Sequence, residues 1–189
     1  NCINLYSYVR NPFTSEAFFD LELFKQHVKC AMHLTDDIID LEQEKVQQII
    51  DKIMSDPEKE TTKFTELNLW KKIYDMHTDM RRVGLGITGL GDMLAALNYT
   101  YGTKEATEFA ASIQQTLAVA AYSTSIELAK ERGAFKMWNY ETEKDAPFVN
   151  RVLASMSSQT KREYARYGRR NVHCLTIAPT GTVSLMTQT

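Results

Sequence analysis

Cysteine, uncompensated charge and long apolar runs are all scarce here, and each scarcity closes off a class of protein. The three cysteines, Cys2, Cys30 and Cys174, are an odd count with no C-x-x-C pair among them. A disulfide framework or a structural zinc site needs paired cysteines, so reduced thiols in a cytoplasmic setting are the expectation. No stretch approaches the ~18 apolar residues of a membrane helix, which removes a membrane partner. Neither charge sign is in excess: 22 Lys and Arg against 24 Asp and Glu leave a net −2. A nucleic-acid module would carry a basic face, and none is written here. The opening Asn1-Cys2-Ile3-Asn4-Leu5 has neither an initiator Met nor a basic signal-peptide region. The expectation is a soluble piece whose true start lies upstream.

What is present is ordinary globular material. With 189 residues, 43% hydrophobic and 24% charged, the chain suffices for a single domain over 1–189. A globule of this size buries roughly 70% of its unfolded surface. Residues 2–9 are rich in β-formers and closed by Asn11-Pro12, which predicts a strand and a turn. From Asp20 the period becomes helical, with Leu21, Phe24, Val28, Ala31 and Met32 on one stripe, then Ile38, Ile39, Val46, Ile49, Ile50 and Ile53. A solvated loop at 55–63 precedes a second amphipathic helix at about 66–80. Thr103 is placed to cap a helix that runs to about Arg132 and stops at Gly133. Residues 136–168 read as short helices and loops, 171–178 as a strand, and Thr182 onward as a helix start. The class is α/β, dominated by helices.

Three constellations invite a chemical reading. Gly84-Leu-Gly86-Ile-Thr-Gly89 matches the dinucleotide pattern G-x-G-x-x-G, but the segment before it is charged and helical where that motif needs a strand. Close backbone approach explains the glycines better. His27, Cys30, His33, Asp36, Asp37 and Asp40 suggest a metal cluster, yet helical steps of three drift apart, and a solvated helix face is the preferred reading. The third is the strand, the Pro179-Thr180-Gly181-Thr182-Val183 turn and the helix after it. Gly181 permits close approach, Thr180, Thr182 and Ser184 supply hydroxyls, and a helix start presents free N–H groups, which together suit a phosphate. The Lys of a Walker loop is missing. Arg169-Arg170 can add charge to that site or pair with surface acids. A capped helix without a ligand explains the same residues structurally.

Several blocks in order resemble one family. Ile3-Asn4-Leu5, the Arg81-Arg82-x-Gly-Leu-Gly-Ile-Thr-Gly-Leu-Gly-Asp92 run, Glu127-Leu-Ala-Lys-Glu-Arg-Gly133 and Leu175-Thr-Ile-Ala-Pro-Thr-Gly-Thr-Val-Ser184 are similar to the catalytic chain of ribonucleotide reductases. With Leu34-Thr-Asp-Asp-Ile-Ile-Asp-Leu-Glu42 and the Tyr6-Ser-Tyr-Val and Asn11-Pro-Phe-Thr14 opening, they most resemble the adenosylcobalamin-dependent class II branch. The resemblance implies a portion of a ten-stranded α/β barrel, truncated at both ends. It implies thiyl-radical reduction of a ribonucleoside diphosphate or triphosphate, with adenosylcobalamin as cofactor of the full-length enzyme and a thioredoxin-like reductant and a homodimer as its partners. The radical cysteine falls outside these residues, so the isolated piece is expected to be inactive. Cys2 stands near the family's reducing cysteine without matching its spacing, and Cys30 and Cys174 are expected to be buried small hydrophobes. Pro179, Thr180, Gly181, Thr182 and Val183 match the substrate-phosphate loop, and 84–91 becomes a passage from strand to helix. The alternatives are a class I catalytic subunit, served by a separate radical-bearing subunit, or a helical scaffold without a site.

Overall fold

A computed structural model describes residues 1–189. The chain opens with strand β1 (Cys2–Asn4), a 3-10 turn (Leu5–Tyr8) and β2 (Val9–Arg10), then β3 (Phe18–Phe19). The single strand expected over 2–9 is broken because the Asn4 side chain accepts the Tyr6 N–H at 3.0 Å and starts a turn. β2 and β3 form a small antiparallel pair, Val9 opposite Phe19.

Helix α1 (Leu21–Ser55) begins where Asp20 accepts the Leu23 N–H at 3.1 Å. Its 35 residues span roughly 50 Å at the usual rise. The buried stripe is Phe24, Val28, Met32, Asp36, Ile39, Val46, Ile50 and Ile53, so the periodicity holds, with one acid inside it. Helix α2 (Glu60–Met80) returns along the second half of α1, starting a turn and a half earlier than its apolar pattern indicates. None of its residues is fully buried.

β4 (Gly86–Thr88) leads into α3 (Leu90–Ala96), and α4 (Lys104–Arg132) follows with Thr103 as cap, its hydroxyl accepting the Ala106 N–H at 3.3 Å. Ala118, Ala121, Thr124 and Ser125 let α4 come close to its neighbours, while Leu117, Ile126 and Leu128 fill the core. Each fully buried Leu or Ile contributes about 1.5–3 kcal/mol. Three short helices follow, α5 (Tyr140–Glu143), α6 (Pro147–Ala154) and α7 (Ser158–Tyr167), then α8 (Gly181–Thr187).

The central feature is a parallel group. β1 pairs with β4 in parallel, Cys2 opposite Gly86 and Asn4 opposite Thr88. Residues 172–176 lie on the other edge of β4, with a parallel bridge between Leu85 and Leu175. Successive N–H groups point to opposite sides of an extended chain. Hence Leu85 donates to Cys174 at 2.9 Å while Gly86 donates to Asn1 at 2.7 Å. The strand expected over 171–178 is an extended edge with one bridge, because its ladder is irregular: Val83 and Leu85, two residues apart, donate to the adjacent His173 and Cys174. Cβ atoms at Gly84 and Gly86 would come within 3.1 and 3.0 Å of Thr176, which is the close approach anticipated for the glycine run.

Candidate functional site at the ends of the parallel segments

All three parallel segments end on the same side of the molecule. In open parallel sheets, ligands bind outside the carboxyl ends of the strands. Here that edge is built from Asn4, Thr88-Gly89 and residues 177–183. Gly89 sits at φ 69°, and a Cβ there would lie 2.7 Å from Asn4 Oδ1 and 3.3 Å from the Thr189 methyl. Only glycine fits, and its absence of side chain lets the end of α8 fold back onto β1 and β4.

The loop itself is open. Ile177 is 96% exposed, Pro179 and Gly181 are exposed, and nothing lies within 4 Å of a Cβ on Gly181. Thr180 occupies the N-cap position of α8 without a side-chain cap bond, and neither its hydroxyl nor that of Thr182 is engaged elsewhere in the chain. Ser184 differs: its hydroxyl donates to the Gly181 carbonyl at 2.7 Å. Two of the three expected hydroxyls are thus free.

Arg169 and Arg170 take neither role anticipated for them. Both turn inward, away from the loop: Arg169 is buried against the half-buried Glu143, and the half-buried Arg170 faces the buried Asp36. Arg169 forms an ion pair with Glu143 and donates to the carbonyls of Asn171 and Val172, both at 2.6 Å. Tyr164 and Trp138 donate to the other Glu143 oxygen at 2.7 and 2.8 Å. Arg170 reaches Asp36 at 3.4 Å. Burial pushes the Glu143 carboxyl up, but Arg169 and the two aromatic donors outweigh it and hold the group below the usual carboxylate range.

The acidic run on α1 also needs correction. Asp36, Asp37 and Asp40 do converge, yet the reading of a solvated face fails at Asp36, whose side chain is 0% exposed. Its partners are Arg81, Arg132, Arg170 and Asn171. Arg81 also holds Asp40 at 2.7 Å and Arg132 holds Asp37 at 2.6 Å. Guanidinium groups thus take the lone pairs that a metal would need. The clue lay in spacing: Asp36 falls four after Met32 and three before Ile39, on the apolar stripe itself.

The cysteines separate. Cys2 opens β1, half-buried, about 7 Å of strand rise from the edge residue Asn4. Cys174 is fully buried, and its thiol is pushed up to about 12 by burial, with Arg169 opposing. Cys30 is exposed on α1, contrary to its expected burial.

A family model described as the ribonucleotide reductase barrel domain matches residues 2–189. The chain belongs to the ribonucleotide reductase barrel-domain family. It is 36% identical over 110 residues to a vitamin B12-dependent ribonucleoside-diphosphate reductase of Mycobacterium tuberculosis (strain ATCC 25618 / H37Rv), covering 58% of this chain and 13% of that protein. A ribonucleoside-diphosphate reductase subunit alpha of Chlamydia pneumoniae is 28% identical over 200 residues, covering 96% of this chain and 16% of the relative. A vitamin B12-dependent ribonucleoside-diphosphate reductase of Thermoplasma acidophilum is 28% identical over 167 residues, covering 88% and 16% respectively. This barrel-domain chain therefore spans 13–16% of the length of these relatives.

For cobalamin, the fit within this barrel-domain chain is poor. Of four histidines, His27 shares a hydrogen bond with the Tyr8 hydroxyl, His33 and His77 lie on α1 and α2, and His173 precedes Cys174 at the far end of the edge segment. The carboxyl edge itself offers hydroxyls, amides and Asn4. Surface clefts lie elsewhere, among them one between α1 and α2 near Ile53 and Trp70 and one along α4 near Val119. These residues do not make a corrin site. No helix is long and apolar enough to cross a membrane.

Proposed function

We propose that this chain is one segment of the ten-stranded α/β barrel of a ribonucleotide reductase, as a single domain over 1–189. In this reading the whole enzyme reduces ribonucleoside diphosphates to deoxyribonucleotides by thiyl-radical chemistry, and Pro179–Val183 grip the substrate phosphates. The observation that carries the reading is the open loop at the carboxyl edge of three parallel segments, with the Thr180 and Thr182 hydroxyls free. The first N–H groups of α8 add donors there, since the start of any helix leaves them unpaired. An anion at this loop gains neutral donors from this chain. Its charge partners come from other parts of the enzyme, since Arg169 and Arg170 are committed inward.

Diphosphate substrates are favoured because the relatives' names specify ribonucleoside diphosphates. Adenosylcobalamin is the proposed cofactor of the whole enzyme on the names of two relatives, held by residues outside this chain. A thioredoxin-like reductant would restore its reducing cysteines, of which Cys2 is a candidate member. The Chlamydia relative, named as a subunit, favours a second reading in which a separate subunit supplies the radical. Turnover by the intact enzyme with cobalamin and no added subunit distinguishes the two.

The loop is tested by changing Thr180→Ala and Thr182→Ala together in the intact enzyme and titrating CDP. Hydrogen bonds to charged groups contribute about 1.5–3 kcal/mol each, so losing either hydroxyl contact weakens CDP by at least about tenfold. Unaltered affinity removes the loop from the phosphate site.

A further inference from the structure

Asp36 lies on the buried stripe of α1 with none of its side chain exposed. A carboxylate there keeps its charge only if other groups replace its hydration. Arg81 Nε and Asn171 Nδ2 each donate to Oδ1 at 2.9 Å, and Arg132 Nη1 and Arg170 Nε approach Oδ2 at 3.3 and 3.4 Å. Arg81 Nη2 also donates to the Asp36 carbonyl at 2.9 Å. One side chain thereby ties together the end of α2, the end of α4 and the entry to residues 172–176.

Where those residues lead gives the knot its second meaning. Arg81 is the left-handed cap of α2, and the chain runs from it directly into β4. Asn171 Nδ2 bridges Asp36 to the Arg81 carbonyl, at 3.2 Å from the latter. Ser125 locks the same asparagine from α4, donating to its Oδ1 and accepting its N–H, both at 3.0 Å. From this point the pairing ladder starts: Val172 donates to Met80, Val83 to His173, Leu85 to Cys174 and Thr176 to Leu85. Beyond Thr176, residues 177–179 are exposed. Thr180 and Thr182 thus hang between the register set at Asn171 and the end of α8, where Thr189 comes back to Gly89.

We propose that Asp36 is a positioning residue for the 179–183 loop, setting through Arg81 and Asn171 the register in which residues 172–176 present Thr180 and Thr182 at the carboxyl edge. The proposal rests on the phosphate reading above. A one-residue slip of an extended segment moves it by about 3.3 Å and reverses its side chains, so a lost anchor misplaces the hydroxyls even when the fold survives.

The test uses the intact enzyme and CDP affinity at a temperature where every variant is folded. Asp36→Asn keeps the shape and removes the charge, leaving three arginines around a neutral amide. The expected result is a Kd for CDP raised at least tenfold. Ile50→Ala, on the far half of α1 and outside the knot, lowers the unfolding temperature and leaves that Kd unchanged. A merely structural Asp36 would behave like Ile50, and a Kd within twofold of the native value overturns the proposal. If Asp36→Asn does not fold, Asn171→Ala cuts the link to the segment while leaving the ion pairs, with the same tenfold criterion. Should the Thr180→Ala, Thr182→Ala enzyme keep its CDP affinity, the phosphate reading falls and takes this role with it. If that enzyme loses affinity while the Asp36 and Asn171 variants keep theirs, positioning alone is refuted.

Discussion

Replacing Gly168 by alanine isolates how tightly the Glu143–Arg169 cluster is built. Gly168 ends α7 at φ 74°, ψ −149°, a region that only glycine occupies freely. The backbone part of the cost is about 1–3 kcal/mol. A Cβ there would also stand 2.5 Å from Trp138 Cδ2 and 2.8 Å from Cε2 and Cε3. The indole cannot step aside freely, because its Nε1–H donates to Glu143 at 2.8 Å and its ring packs edge-on to Tyr164 at 6.1 Å. Losing a hydrogen bond to a charged group adds about 1.5–3 kcal/mol. The sum is about 2.5–6 kcal/mol, a large part of the ~5–15 kcal/mol by which domains are stable. Urea unfolding followed by far-UV circular dichroism and tryptophan fluorescence reads this directly. Two companion variants separate the contributions. Gly102→Ala has φ 85° but open space around its Cβ, so it carries the backbone part alone. Gly181→Ala has neither a left-handed backbone nor a neighbour, and should stay within about 0.5 kcal/mol of native. If Gly168→Ala costs no more than Gly102→Ala, the packing argument is wrong.

Acid should unfold the protein through the buried Asp36 and the half-buried Glu143. Burial raises the Asp36 and Glu143 carboxyls, but Arg81 and Arg169 lead the groups that bring both below the ordinary range. A lowered carboxyl stabilises above its unfolded value of about 4, and that stabilisation disappears as pH falls through the folded value. The urea midpoint should therefore decline steadily below about pH 5, with a shallower decline in Asp36→Asn; a midpoint constant from pH 7 to pH 3 contradicts this. Iodoacetamide at neutral pH should label Cys30 first and Cys174 only on unfolding, because burial pushes the Cys174 thiol up to about 12. Peptide mass spectrometry that finds both equally labelled in the folded protein would refute the assignment of burial.

Local rules carried much of the fold. The Thr103 cap, the Gly133 stop and the stripe from Phe24 to Ile53 are interactions among residues a few positions apart, which a linear reading captures. The break at Asn4 was also local, but a side-chain cap competing with a strand leaves no periodic trace. The turn at 179–183 and the helix start after it were legible, although the strand before them is an extended edge and the Ser184 hydroxyl donates to the Gly181 carbonyl. Family membership, too, was written in the blocks around Arg81–Asp92 and Leu175–Ser184.

Partnership across distance was not legible. Asp36 and Asn171 are 135 positions apart, and Arg169 meets Glu143 across 26. Nothing in Arg169-Arg170 distinguishes a surface pair from two guanidiniums turned inward against different acids. By itself the sequence determined the long helices, the Thr103 cap, the Gly133 stop and the family, since these depend on neighbouring residues. Only the tertiary structure decided which charges lie inside and where the parallel segments end together. A buried charge is tolerated solely where distant chain brings its partners, and those partners are known only once the chain has folded. The scarcity of cysteine is resolved the same way: three similar thiols became one exposed, one half-buried and one sealed in the core.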